Sequence, residues 1–453
     1  MKSKTEKTIF IIIGRGSITR NILRSGVLEE LKKSGHKIVI IFWNVRNRPL
    51  PDYLRTEFAG LGVVLETASS PRSSRLYRYF KRLTALLVYD PQIREVRYIL
   101  SGRWRWLLPL ERLLLFPFVR LHFLKHLARW LELFFFNSRV YANYFDRYRP
   151  DLVFSTSVIA SVDMEFMKEA KRRGVKTVSM PRGWDNVGTI FYKVTPDLLL
   201  VQNEMMKRQA VAFQRLPATK IKVVGFPQFD WYYRPEIIMS REDYCRRYGL
   251  DPTWKIVLWA STPDDSRASQ VMLSLFQNDE LGVPASLLIR AHFKAGRGSQ
   301  SLHWENLPQV IIDHNWRPEP FFWDNYDLTT DGIKLFVNTI YHADVVVTLC
   351  SSIVLDSLNL DKPIINLAFG SWYDKKGNDI SLKLYEYDVY QPILKIGAVA
   401  LARSKEELIK AIHDAFDCPN RKSPERLKAR DLFCYRGDGR SSRRLAEAIL
   451  SLL

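Results

Sequence analysis

Cysteine is scarce in this chain, and its scarcity removes two architectures at once. The four cysteines among 453 residues, Cys245, Cys350, Cys418 and Cys434, form no CxxC pair and stand at no zinc-type spacing to histidine. A disulfide-stapled fold and a zinc module are set aside, and the thiols read as scattered reduced groups of a cytosolic protein. Long apolar runs are missing too: no stretch reaches the ~18 residues that a membrane-spanning helix needs. The N-terminal MKSKTEKTIFIIIGRG has basic residues before an apolar run, but the run is too short for a signal core and leads directly into a glycine turn. Residues 9–13 therefore read as a first strand. Short-period repeats and low-complexity segments are also wanting. Acidic residues are in deficit, 48 against 68 Lys and Arg, which leaves a net charge of +20. Such a balance implies an acidic partner: nucleic acid, anionic lipid or a phosphorylated substrate. With no RNP-like aromatic pattern, zinc spacing or helix-turn-helix, nucleic acid is not expected.

What is present is a normal globular balance, 47% hydrophobic and 26% charged, with length for two to three domains. The most telling stretch is 341–367, YHADVVVTLCSSIVLDSLNLDKPIINL, which reads as strand, serine-bearing turn, helix and second strand. Ser351 and Ser352 are placed to cap that helix, and Lys362-Pro363 to stop it. A helix opening from a parallel strand aims unpaired N–H groups and a positive dipole end into the crevice where nucleotide diphosphates sit. An ordinary βαβ crossover would show the same pattern.

Strand and helix signals alternate on both sides of this unit. In the first half they fall at 9–13, a helix near 22–33, 37–43, 152–155, a helix near 163–173, 176–180, 198–202 and 220–224. The glycine, prolines and aromatics of GFPQFDWYYRP, 225–235, read as a crossing between domains, with Asp230 part of it and Trp231, Tyr232 and Tyr233 lining a cleft or packing on the last helix. The second half offers strands at 255–260, 286–290, 310–313, 345–348 and 364–367, a helix at 405–416, and a terminal helix with Leu445, Ile449 and Leu452 at helical spacing. The reading is an α/β fold of two doubly wound, Rossmann-like domains around a cleft: 1–235, 236–437, and a tail 438–453 that crosses back.

Segment 102–149 departs in composition. Phe123, Leu127, Trp130 and Phe134 share one helical face, and Lys125, His126, Arg129 and Glu132 the other, with Trp104 and Trp106 and basic neighbours before them. That pattern fits a helix lying in an anionic membrane interface, or a core helix of the first domain. The location expected is cytoplasmic, peripheral on the membrane face if the first alternative holds.

The two halves, the Gly/Pro-rich crossing, the Ser-Ser turn and the terminal helix together resemble GT-B glycosyltransferases. Within them the chain is similar to the CDP-glycerol glycerophosphotransferase group, on Ala343-Asp344, Ser351-Ser352, Asp356 and Lys362-Pro363, on the tail Asp438-Gly439-Arg440-Ser441-Ser442-Arg443, and on Arg290-Ala291-His292, where Phe293 replaces a proline. The likeness runs from about residue 150 onward. It implies transfer of a sugar or glycerophosphate from a UDP or CDP donor to a surface-polysaccharide or lipid-linked acceptor, without cofactor or metal. A UDP-sugar 2-epimerase of the same fold is the enzymatic alternative, and a non-enzymatic membrane- or nucleic-acid-binding protein the other. One motif departs: where the family has a histidine in an HG motif, this chain has Pro181-Arg182-Gly183-Trp184-Asp185-Asn186.

Such transfer needs a stabilised leaving diphosphate and a deprotonated acceptor hydroxyl. Ser351, Ser352, Asp356, Arg290 and His292 are the donor-side candidates, with Lys294 and Arg297 adding charge or merely solvated. Asp185, in the turn after 176–180, is the candidate base, or else an Asp-Asn turn residue; Glu165 is the fallback. On the acceptor side stand Arg182, Trp184 and Gly14-Arg15-Gly16, whose glycines would let a substrate approach the backbone though the dinucleotide fingerprint is incomplete. Asp264-Asp265 reads as a loop rather than a metal pair.

Overall fold

A computed structural model describes residues 6–88, 121–136, 138–261, 266–292, 307–313, 316–374, 377–386 and 390–453. Trp104, Trp106, Asp264, Asp265, Phe293, Lys294 and Arg297 lie outside these.

Two parallel sheets carry the fold. The first contains β1 (Thr8–Ile13), β2 (Lys37–Asn44), β3 (Val64–Ser69), β4 (Leu152–Ser155), β5 (Lys176–Ser179), β6 (Leu198–Val201) and β7 (Ile221–Val223), in the order β3-β2-β1-β4-β5-β6-β7. The second contains β8 (Lys255–Ala260), β9 (Ala285–Arg290), β10 (Val310–Asp313), β11 (Val345–Thr348), β12 (Ile364–Leu367) and β13 (Ala400–Ala402), in the order β10-β9-β8-β11-β12-β13. Near-continuous apolar strands such as TIFIII are what a sheet covered on both faces requires, and β1 is buried along almost its whole length. In each sheet the order reverses once, between β1 and β4 and between β8 and β11. A reversal opens a crevice at the carboxyl ends of the strands, so the topology alone selects where a ligand enters.

The helix expected near 22–33 is interrupted. A π-turn at Thr19–Leu23 and a helix at Val27–Lys32 flank Gly26, whose φ of +109° is open to glycine but strained for other residues. The break turns Arg24 toward the second domain, where it meets Asp327 and Leu328.

Three connections tie the halves together. In the crossing, Asp230 accepts from the amides of Ser441 and Ser442, Trp231 Nε1 donates to the Arg24 carbonyl, and Tyr232 and Tyr233 donate to Asp356 and Asn359. The tail motif is thus a latch: Asp438 pairs with Arg444, and the helix Ser441–Leu450 buries Leu445 and Ile449 in the first-domain core. Third, the segment 316–328 leaves the second sheet and seats Phe321 and Phe322 against Phe42, also in the first-domain core.

The helix His122–Phe135 is turned inside out. Lys125 and Arg129 are buried and donate to the carbonyls of Phe213, Tyr192 and Gln214, while buried Glu132 meets Lys168, Lys193 and Tyr77. Phe123, Leu127, Trp130 and Phe134 are left 60%, 43%, 52% and 67% exposed. Among the described residues the apolar stripe joins no core cluster, and Lys125 and Arg129 are not available to a membrane. Packed on this helix through Tyr77 and Phe80, the helix Arg75–Thr84 exposes Leu76, Tyr79 and Leu83 among Arg75, Arg78, Lys81 and Arg82. Among the described residues no helix is long and apolar enough to cross a membrane.

Candidate functional site

The crevice at the β8–β11 reversal is walled by the first domain. Ala260 ends β8 and Ser261 follows it, Arg290 ends β9 with Ala291 and His292 after it, and Ser351 and Ser352 follow β11. Together with Arg15, Arg20 and Arg182 from the first domain they line a cavity of about 360 Å³. A neighbouring cavity of about 720 Å³ shares Arg20, Arg182, Ser351, Ser352 and Asp356 and adds Asp185, Trp184 and Cys350. The two are parts of one cleft.

The helix after the serines is short, Ile353–Asn359, and neither hydroxyl caps it well: Ser352 makes no cap bond, and Ser351 Oγ meets the Ile353 amide only at 3.4 Å. The side-chain capping expected from sequence is thus barely made, and the Val354 and Leu355 amides turn instead to the carbonyls of Ser351 and Ser352. Asp356 accepts from Tyr232 at 2.7 Å, and burial pushes its carboxyl up. Arg290 is less of a lone cation than expected, because its guanidinium pairs with buried Asp313 at 2.5 Å and lies 4.2 Å over Phe336. The His292 amide donates to Ser261 Oγ, which sets the ring at the cavity wall.

Asp185 stands at the tip of a tight turn. Its carboxylate accepts from the Asn186 amide group at 3.0 Å, Asn186 in turn accepts from the Gly183 N–H, and a Cβ at Gly183 would come within 2.6 Å of Asp185 Oδ1. The turn therefore needs glycine to hold the carboxylate there. Asp185 remains accessible from the cleft, yet the surrounding protein excludes enough water to push its carboxyl up, with its own backbone N–H and Arg182 opposing. Trp184 meets Tyr390 at a tilt and Phe433 edge-on, so it also joins the two domains.

The glycines of the first loop do something other than admit substrate. Gly14 lies under the Trp43 ring, and a Cβ at Gly16 would stand 1.6 Å from the Tyr326 carbonyl oxygen. What approaches this backbone is the protein's own 316–328 segment. Arg15 does reach the cleft, with its guanidinium 3.8 Å over Trp323 and its pKa pushed down to about 10 by burial and by Arg182. Sequence reasoning missed Arg20, Ser17, Asp324 and Tyr326, all on the cavity wall. Ser17 and Arg20 lay between the glycine turn and the helix expected near 22–33, and Asp324 and Tyr326 in a connection without a motif, so only tertiary placement reveals them. Among the described residues no cluster of three or more His, Cys, Asp or Glu is arranged to hold a metal ion.

Two Rossmann-like sheets facing a cleft lined by arginines, with a serine turn at the second reversal, have the GT-B arrangement. The profile of the family described as CDP-Glycerol:Poly(glycerophosphate) glycerophosphotransferase matches residues 185–451, more than half of the chain, and the chain belongs to that family. Its fold is that of the wall teichoic acid polymerase TagF (TM-score 0.53, 13% identity, covering 99% of this chain and 89% of that one). A UDP-GlcNAc 2-epimerase from Neisseria meningitidis bound to UDP-GlcNAc gives 0.55 at 11% identity, covering 98% and 100%. A glycosyltransferase from Rickettsia africae gives 0.52 at 12%, covering 98% and 99%. A comparison with curated protein sequences found no match.

Proposed function

We propose that the chain moves glycerophosphate from CDP-glycerol, or a related group from a nucleotide-diphosphate donor, to a hydroxyl of a surface-polysaccharide or lipid-linked acceptor. The observation that carries this reading is the convergence of Arg15, Arg20, Arg182 and the Ser351–Ser352 turn on one cavity of the cleft, in a member of this family. A TagF variant has been solved with CDPG, which supports a CDP donor here. In the proposed reaction Asp185 takes the proton of the acceptor hydroxyl as its oxygen bonds the glycerol-bearing phosphorus. The bond from that phosphorus to the bridging oxygen breaks, and CMP leaves with its charge held by the arginines and the serine turn. No cofactor or metal is invoked in this scheme.

The test is incubation with CDP-glycerol and a glycerophosphate-primed lipid acceptor, following CMP release and acceptor elongation. Epimerisation of UDP-GlcNAc without an acceptor would favour the epimerase instead. Ser352→Pro probes the donor turn: a φ of −67° at Ser352 suits proline, which removes the amide without forcing the backbone. A lost charge-assisted hydrogen bond is worth about 1.5–3 kcal/mol, so CDP binding by calorimetry is expected to weaken about tenfold or more. Unchanged affinity would remove the turn from the donor site.

The acceptor reading extends to the surface. Apolar Leu76, Tyr79, Leu83, Trp130 and Phe134 beside Arg75, Arg78 and Arg82 match a bilayer with anionic headgroups in both polarity and charge. Co-sedimentation with anionic vesicles is expected, weakening with salt as the Debye length shortens from about 8 Å at physiological ionic strength. Trp130→Ser/Phe134→Ser should reduce binding at every salt concentration. Retention of neutral and anionic vesicles alike after Arg75→Glu/Arg78→Glu would show that charge has no part.

A further inference from the structure

We propose that Asp324 is a positioning residue that sets Arg15 and Arg20 for the anion in the cleft, so that the first-domain half of the site is assembled by a strap from the second domain. This rests on the donor reading above. Asp324, 5% exposed, accepts from the Gly16 amide at 3.1 Å, the Ser17 amide at 3.3 Å and the Ser17 hydroxyl at 2.9 Å. In a Rossmann-like domain these first-loop amides are the ones a ligand's phosphate would ordinarily seek. Here a carboxylate of the same chain already satisfies them, so the loop cannot offer its backbone to substrate. Its side chains serve instead. Arg15 is pressed on Trp323, the strap residue next to Asp324, and Arg20 follows one turn further along the same loop. Both reach the cavity that contains Ser351 and Ser352.

The strap has its own anchors, which separates positioning from folding. Phe321 and Phe322 are buried in the first-domain core, and Arg24 grips Asp327 with two nitrogens at 2.7 and 3.1 Å. Arg46 also donates to the Pro320 carbonyl at 2.7 Å. Loss of the Asp324 carboxylate alone therefore leaves the strap docked and frees the loop.

The experiment uses the full-length protein as Asp324→Ala, Arg15→Ala and the double variant. Hydrogen exchange of the peptide spanning 14–20 needs no ligand: Asp324→Ala is expected to speed it, with the denaturation midpoint close to wild type. CDP titration should show Asp324→Ala weakened about tenfold, and the double variant weakened by clearly less than the sum of the two single losses, because groups in one network do not add. Asp324→Asn, which keeps one acceptor oxygen, should recover part of the loss. Unaltered exchange in the 14–20 peptide, or fully additive effects on CDP binding, would overturn the proposal. Failure of wild-type protein to bind CDP would overturn the donor reading instead, and the exchange measurement would still decide the positioning.

Discussion

Asp185→Asn is expected to lower turnover by about 10²–10⁴-fold, the usual contribution of a general base, while leaving donor affinity nearly unchanged. The substitution suits the site: an asparagine carbonyl can still accept from the Asn186 amide group, so the turn built on Gly183 keeps its shape. Only the basicity is removed. Because crowding within the cleft pushes the Asp185 carboxyl up, the acid limb of kcat/KM in the wild-type protein should lie above the ordinary carboxylate range of about 4. Activity is lost as pH falls through that raised value, since the protonated form cannot accept the hydroxyl proton. Initial rates of CMP release across pH, on wild type and variant, measure both expectations. A variant with near-normal turnover on the acceptor would remove Asp185 from the chemistry. Glu165, the other first-half carboxylate suggested by sequence, would be a poor successor, because it pairs with Lys168 at 2.6 Å and accepts from Ser138.

How much of this was legible in the sequence depended on whether a feature was local. The strands Lys255–Ala260, Val310–Asp313, Val345–Thr348 and Ile364–Leu367 coincide with the apolar runs bounded by turn residues, because burial on both faces writes itself into consecutive side chains. β3 and β13 were missed, and both are edge strands with half-buried residues that leave a weaker signature. The serine turn was readable because strand, turn and helix are contiguous. Arg20 and Asp324 were not, since they come to one cavity only when the strap joins residues 308 positions apart, as the Gly16–Asp324 bond shows. The His122 helix was legible only in its period. Sequence left its apolar face either in the core or in a membrane interface, and that face lies outward because Lys125, Arg129 and Glu132 find buried partners on elements far along the chain. Amphipathic spacing identifies two faces; which one turns inward depends on what waits there.

Arg24→Ala is expected to cost about 3–5 kcal/mol of stability, because it strands a buried carboxylate. The Arg24 and Asp327 side chains are 1% and 0% exposed and bond at 2.7 Å. Arg24 also reaches Glu57 at 2.7 Å and the Leu328 carbonyl at 2.8 Å. Among the described residues, Asp327 without the guanidinium keeps only the Tyr53 hydroxyl at 2.9 Å and the backbone around it, too little to compensate a charge removed from water. Urea denaturation should show the lower midpoint. Replacing both partners with apolar groups of similar volume, Arg24→Met with Asp327→Leu, should recover most of the loss, since the cost of the single change lies in the orphaned charge more than in the lost attraction. Equal destabilisation by the single and double changes would mean that the pair is held for the geometry it imposes. The strap would then depend on this ion pair for its seat, and Asp324 with it.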